Sequence, residues 1–223
     1  MLTTRRRTAV ACLFAAAALS LTSSLTGCSS DSGDSGNGKI AGAGGDGAGS
    51  PTPSASASAE KGAPAFDLPS DITVDVQKES TGDAAKDAIV RDVAYAAQAR
   101  IEAFAEGDGR TANMNRYFAA NALAYWGDRV ATVKKDGLTV TGDYRYFDFE
   151  VTDVANGKKA AARYCEDQSK AYNKVIKTEK VQRTQPSDKD FVLYTLQVEK
   201  DSRGDWQVTQ QNWKKGDASC VQG

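Results

Sequence analysis

Apolar side chains recur at helical spacing between residues 83 and 106. Val90, Val93, Ala97, Ile101 and Phe104 form one stripe, which predicts an amphipathic helix. Thr81 or Asp83 can cap its start and Gly107 stops its end. After the turn Gly107-Asp108-Gly109, residues 111–125 carry a second helical face made of Met114, Phe118, Ala122 and Tyr125. Residues 129–135 form a shorter third segment, closed by Asp136-Gly137. Ahead of the helices, Ile72, Val74 and Val76 alternate with Asp71, Thr73 and Asp75, the mark of a short strand. Beyond Gly137 the period falls from about four to two. Residues 144–154 read as a long strand, with Phe147, Phe149 and Val151 on one face and Tyr144, Tyr146, Asp148 and Glu150 on the other. Asn156-Gly157 is a strong hairpin signal, because both residues tolerate positive φ, and residues 159–166 pair back. Residues 174–184 form a mostly polar strand at an edge. Residues 191–200 follow, with Val192, Tyr194, Leu196 and Val198 alternating, and Asp201-Ser202-Arg203-Gly204 turns the chain into a last strand, 206–213. No internal repeat interrupts the series. Helices followed by an antiparallel meander predict one α+β domain over residues 66–223, with the helices packed on a curved sheet.

The N-terminal residues follow neither period. Arg5, Arg6 and Arg7 precede the apolar run 9–21, which is broken only by Ser20. Charge followed by a short apolar run is a signal-peptide pattern, and this run is well below the about 20 residues a bilayer span needs. The arginines also raise twin-arginine export, but Thr8 and Ala9 match that signal poorly, so general secretion is the default. The run ends Leu25-Thr26-Gly27-Cys28, which resembles the lipobox of bacterial lipoproteins. That resemblance implies cleavage between Gly27 and Cys28, a diacylglyceryl thioether on the Cys28 thiol, and anchorage at the extracytoplasmic face of the cell membrane. Two acyl chains hold a protein stably where one holds it marginally. Residues 1–27 are thus read as a signal peptide and 28–65 as a lipidated tether. The tether is built almost wholly of Ser, Gly, Ala, Asp, Pro and Thr, with Ile40 as its one large apolar side chain before the domain. Such a segment cannot bury enough surface to offset its ordering entropy, so a disordered linker is expected. About 37 flexible residues give an r.m.s. reach of roughly 35 Å.

The full chain holds 28 basic and 29 acidic residues; without Arg5, Arg6 and Arg7, 25 basic remain against 29 acidic, a net charge of −4. That balance gives no electrostatic footprint for nucleic acid. Histidine is absent, which excludes Ser-His-Asp hydrolysis, Cys-His catalysis and histidine metal sites. Gly42-Ala43-Gly44-Gly45 precedes no helix and is compositional rather than a phosphate loop. Four cysteines are present. Cys12 leaves with the signal peptide and Cys28 carries lipid. Cys165 and Cys220 remain as an even pair in an oxidising compartment, so a disulfide is expected. A two-cysteine metal site would have to recruit carboxylates, and a redox pair would show C-x-x-C spacing.

Ala103-Phe104-Ala105-Glu106-Gly107-Asp108 closing the first helix, Tyr117-Phe118 in the second, and Gly204-Asp205-Trp206-Gln207-Val208 opening the final strand resemble the NTF2-like (cystatin-like) superfamily, as found in small actinobacterial lipoproteins. The likeness covers about residues 83–214. It implies a cone, a curved sheet closed by helices. The superfamily includes isomerases, dehydratases and non-enzymatic binding modules, so the resemblance gives a shape and no activity.

Two constellations carry candidate chemistry. Tyr144, Tyr146, Asp148 and Glu150 share a strand face, where a phenol beside a desolvated carboxylate could move protons; a solvated face is the competing reading, because Phe147, Phe149 and Val151 occupy the other side. Glu166-Asp167 reads as a solvated strand end. Tyr117, Tyr125, Trp126, Trp206 and Trp213 form an aromatic set that either lines an apolar pocket or fills the core. No catalytic residue, metal site or cofactor is marked. The leading reading is a membrane-tethered, non-catalytic binding or interaction module of the cell envelope, with an envelope protein or small apolar ligand as its partner. The alternative is an isomerase- or dehydratase-type enzyme using Tyr and Asp or Glu in the cone. Replacing Cys28 by Ala should release the protein from the membrane fraction or stall it as precursor; a cleaved, detergent-dependent membrane protein in that variant would refute the lipobox reading.

Overall fold

A computed structural model of the chain describes residues 62–222. The signal peptide, Gly27, Cys28 and most of the linker lie outside the described residues. In chain order the elements are β1 (Ile72–Val76), α1 (Ala84–Glu106), α2 (Ala112–Tyr117), α3 (Ala120–Lys135), β2 (Leu138–Ala155), β3 (Lys159–Val175), β4 (Val181–Gln182), β5 (Phe191–Lys200), β6 (Trp206–Lys215) and α4 (Ala218–Val221). The sheet runs β1-β2-β3-β5-β6, with β4 pairing on the far end of β3. β1 lies parallel to β2 and every other pairing is antiparallel. Helices α1, α2 and α3 on one face of a curved, mostly antiparallel sheet make the α+β cone expected from the sequence.

Helix α1 starts where the Asp83 side chain accepts hydrogen bonds from the Ala85 and Lys86 amides, and ends at Gly107 in the left-handed region (φ 66°). Its buried stripe holds Val90, Val93, Ala97 and Ile101, but also three polar side chains: Asp92, Arg100 and Glu102. Two of these are structural. Asp92 accepts from the Trp206 amide at 2.9 Å and from Arg91 Nε at 2.9 Å, which fixes the start of β6. Glu102 accepts from the Asp67 amide at 2.8 Å and, on both oxygens, from Asn113 Nδ2. Asn113 also donates to the Ala65 carbonyl at 2.8 Å, so the entry to the domain is tied down at residues 65–67.

The predicted helix 111–125 is two helices. Phe118 is extended (φ −125°, ψ 149°), bridges Val208 of β6 in parallel, and is followed by the Ala119 amide donating to the Val208 carbonyl at 2.9 Å. Helical spacing continues through the break, so sequence periodicity does not show it; pairing with a distant strand overrides local preference. The expected edge strand 174–184 is also corrected. β3 runs on to Val175, and only Val181–Gln182 forms a strand in the returning segment.

The largest correction concerns β2, which holds register irregularities between Asp143 and Arg145, Phe147 and Glu150, and Val151 and Asp153. At the middle one, Asp148 adopts φ 52°. The bulge inserts one residue and exchanges the faces. Before it, Tyr144 and Tyr146 point into the core; after it, Phe149 and Val151 do. Phe147 instead packs on the opposite face, with Cys165, Cys220, Phe191 and Leu193. The single face predicted for Phe147, Phe149 and Val151 therefore does not exist, and neither does the solvated face predicted for Tyr144 and Tyr146. Close approach at another irregularity requires glycine: Gly142 has φ 97°, and a Cβ there would lie 2.1 Å from the Lys170 carbonyl oxygen.

Cys165 and Cys220 form a disulfide with a Cα–Cα distance of 5.5 Å across 55 residues. It joins β3 to α4 on the sheet face away from the long helices. Loop-closure entropy for that separation amounts to roughly 4 kcal/mol. A Cys165→Ser/Cys220→Ser variant should lose a few kcal/mol in a urea melt, and thiol titration of the denatured wild type should find no free thiol at these positions. Two titratable thiols, or an unchanged melt, would remove the bridge from the account of stability.

Candidate functional site

Sheet parity and the α1 stripe bring a buried ion pair to the inside of the cone. On β3, Ala160, Ala162, Tyr164 and Glu166 alternate onto the core face and all are buried. Glu166 is 2% exposed. It is not the solvated strand end expected from its sequence neighbourhood, because β3 continues nine residues further, to Val175. Arg100 lies seven residues after Val93 on the α1 stripe and is 3% exposed. Arg100 Nη2 donates to Glu166 Oε1 at 2.9 Å. Tyr146 Oη donates to the same oxygen at 3.2 Å. The guanidinium also stacks over Trp126, 4.8 Å from the ring centre, and over Tyr194 at 4.6 Å.

Burial works against charge on Arg100, but the Glu166 carboxylate and the surrounding tyrosines hold its pKa well above the ordinary arginine value. A pair of this kind is costly to desolvate, and removing one partner alone typically costs about 3–5 kcal/mol, because the other is left as an unpaired buried charge. One end of it is incompletely matched: Glu166 Oε2 and Arg100 Nε have no hydrogen-bond partner among the described residues.

Above the pair opens a pocket of about 450 Å3, within the usual range for small-molecule sites. Tyr125, Trp126 and Trp213 form one wall, with ring centres 5.0 to 6.1 Å apart. Arg100, Glu166, Tyr144 and Tyr194 lie at the floor, while Arg129 and Lys215 are exposed at the rim. The candidate aromatic set is thus divided. Tyr125, Trp126 and Trp213 meet in the pocket. Tyr117 is fully buried beside Tyr95, with ring centres 5.5 Å apart, and Trp206 is buried where β6 begins. The candidate proton-transfer set divides as well. Tyr144 and Tyr146 are inside the cone, whereas Asp148 and Glu150 are exposed on the other side and border a cleft with Cys165 and Leu193. Residue type alone points both Arg100 and Glu166 toward solvent. Their positions in the 3.6-residue and two-residue patterns place both inside.

No group of three or more His, Cys, Asp or Glu side chains among the described residues is placed to hold a metal ion, and no described helix is long and apolar enough to cross a membrane.

No family model matches this chain, and no curated protein matches it. Solved structures with similarity include a ketosteroid isomerase-like protein of Erwinia carotovora atroseptica, at 17% identity over 54% of this chain and 90% of that one, TM-score 0.36. A protein of Kribbella flavida is 8% identical over 62% of this chain and 99% of its own, TM-score 0.41. The intermembrane space region of the chloroplast protein ARC6 is 16% identical over 60% of this chain and 97% of its own, TM-score 0.39.

Burial pushes the pKa values of Tyr144, Tyr146, Tyr164 and Tyr194 above the ordinary tyrosine value; the Glu166 charge adds to the effect and Arg100 opposes it. A group whose folded pKa is raised contributes stability that is fully present below its unfolded pKa and is lost as pH rises through the folded value. The unfolded value is about 10. Urea melts should therefore show stability falling as pH rises above about 10, and a Tyr164→Phe variant should show a shallower fall. A profile that stays level up to about pH 11 would contradict this.

Proposed function

We propose that this protein is a non-catalytic ligand-binding module of the cell envelope, held at the extracytoplasmic membrane face by lipid on Cys28, with the cone pocket as its ligand site. The observation that carries the reading is the pocket itself: about 450 Å3, walled by Tyr125, Trp126 and Trp213 and floored by a buried ion pair. An aromatic wall offers area to an apolar body, and a few convergent polar groups fix its orientation. Lipid on Cys28 would give such a module a place at the outer membrane face.

A proton-transfer enzyme would need a base facing the pocket. Asp148 and Glu150 are on the other side of the sheet. Asp190 borders the pocket but is engaged in a capping box, where its Oδ2 accepts from the Ser187 amide at 2.7 Å. Glu166 is buried at the floor, and taking up a proton there would remove the charge that compensates Arg100. The geometry therefore favours binding over turnover.

The test is a titration of the purified Cys28→Ala protein with Nile red, an apolar dye lacking N–H and O–H donors. One saturable site is expected, weakened by up to about tenfold in a Trp213→Ala variant, the magnitude of losing one aromatic contact. Absence of saturable binding, or binding indifferent to Trp213, would count against the pocket as a ligand site.

A further inference from the structure

The charged side chains of the cone pocket are not all matched. At the floor, Arg100 and Glu166 neutralise each other. Asp190, the other carboxylate lining the pocket, accepts from the Ser187 amide. Arg129 and Lys215 also line the pocket and are exposed, and neither side chain has a hydrogen-bond or ion-pair partner among the described residues. Chain direction brings these two cations together. α3 and β6 run the same way: Phe118, just before α3, bridges Val208 of β6 in parallel, and further along both elements Tyr125 meets Trp213 with ring centres 5.1 Å apart. Arg129 lies one helical turn beyond Tyr125, an advance of about 6 Å on the same helix face. Lys215 lies two residues beyond Trp213, an advance of roughly 7 Å on the same strand face; their partners on β5, Val192 and Tyr194, are both buried. Both cations therefore stand at one level of the rim, just past the aromatic wall.

We propose that the pocket takes an amphipathic monoanion, a carboxylate carried on a flat ring body, with the ring along Tyr125, Trp126 and Trp213 and the carboxylate held by Arg129 and Lys215 at the rim. This deepens the ligand-binding reading and rests on it. The floor sets the orientation. A carboxylate seated there would meet the Glu166 charge, and Arg100 is already committed to Glu166 and to the faces of Trp126 and Tyr194. At the rim the same group meets two cations, opposed only by Asp190, and keeps part of its hydration, so little desolvation is required of it. A cationic ligand would add a third like charge to that edge.

The experiment compares indole-3-acetate with indole-3-acetamide, which share ring and shape and differ in the charge of the head group. Both are titrated calorimetrically into the purified Cys28→Ala protein at low salt, near pH 7, where a carboxylate is ionised. Indole-3-acetate should bind about tenfold more tightly, the combined magnitude of two exposed ion pairs, and the margin should shrink as salt screens them. Replacing Arg129 and Lys215 together by Gln should remove the preference and leave the affinity for the amide as it was; both side chains are exposed, so the core is untouched. Lys214→Gln removes a positive charge from the adjoining residue, which pairs with Asp217 at 3.0 Å, and should keep the preference. Equal affinities, tighter binding of the amide, a preference that survives the double variant, or one lost equally in Lys214→Gln would overturn the proposal while leaving the Nile red site in place. Failure of Nile red and both indoles to bind would overturn the pocket reading as well.

Discussion

A guanidinium on α1 and a carboxylate on β3, both withdrawn from water, meet at 2.9 Å inside the cone. Neither charge is tolerable in that place without the other. The pair therefore fixes how α1 sits over the sheet, with a directional requirement that apolar contacts cannot supply. The surrounding tyrosines are arranged around it: Tyr146 donates to the carboxylate, while Tyr194 lies beneath the guanidinium and stacks on Tyr164, ring centres 5.0 Å apart. Trp126 completes the enclosure and at the same time forms part of the pocket wall. Core and site are one construction here, so a change that loosens the pair reaches the pocket directly.

Much of the scaffold was legible in the sequence. The α1 stripe, the Asn156-Gly157 hairpin, the alternation of β5 and the Cys165–Cys220 bridge all follow from local spacing or from counting cysteines, and all are present. The failures have a common origin. The break at Phe118 and the irregularities of β2 are dictated by partners far away in the chain, and local periodicity carries no record of them. Asp148 in the left-handed region is an uncommon choice for a residue other than glycine, and nothing beside it in the sequence announces the exchange of faces.

The site was legible in part. Trp126, Tyr125 and Trp213 were recoverable as aromatic residues, but their separation from Tyr117 and Trp206 depends on three-dimensional placement. Arg100 and Glu166 are the instructive pair. Charged residues are usually solvated, and residue type alone points both toward water. Each nevertheless sits in phase with an apolar series, Val93 and Ala97 for one and Ala162 and Tyr164 for the other. Two opposite charges, each in phase with a buried series on elements that pack together, form a pattern that deserves weight over residue type.

The irregularities at Asp148 and after Val151 give β2 three phases. Toward its start the even-numbered side chains are shielded, and just beyond the bulge the odd-numbered ones are. Tolerance to substitution along this strand should therefore change parity in mid-element. Losing the one extra residue at the bulge would leave Tyr144, Tyr146, Phe149 and Val151 in strict alternation on the core face, so what the residue adds is a local bend in β2.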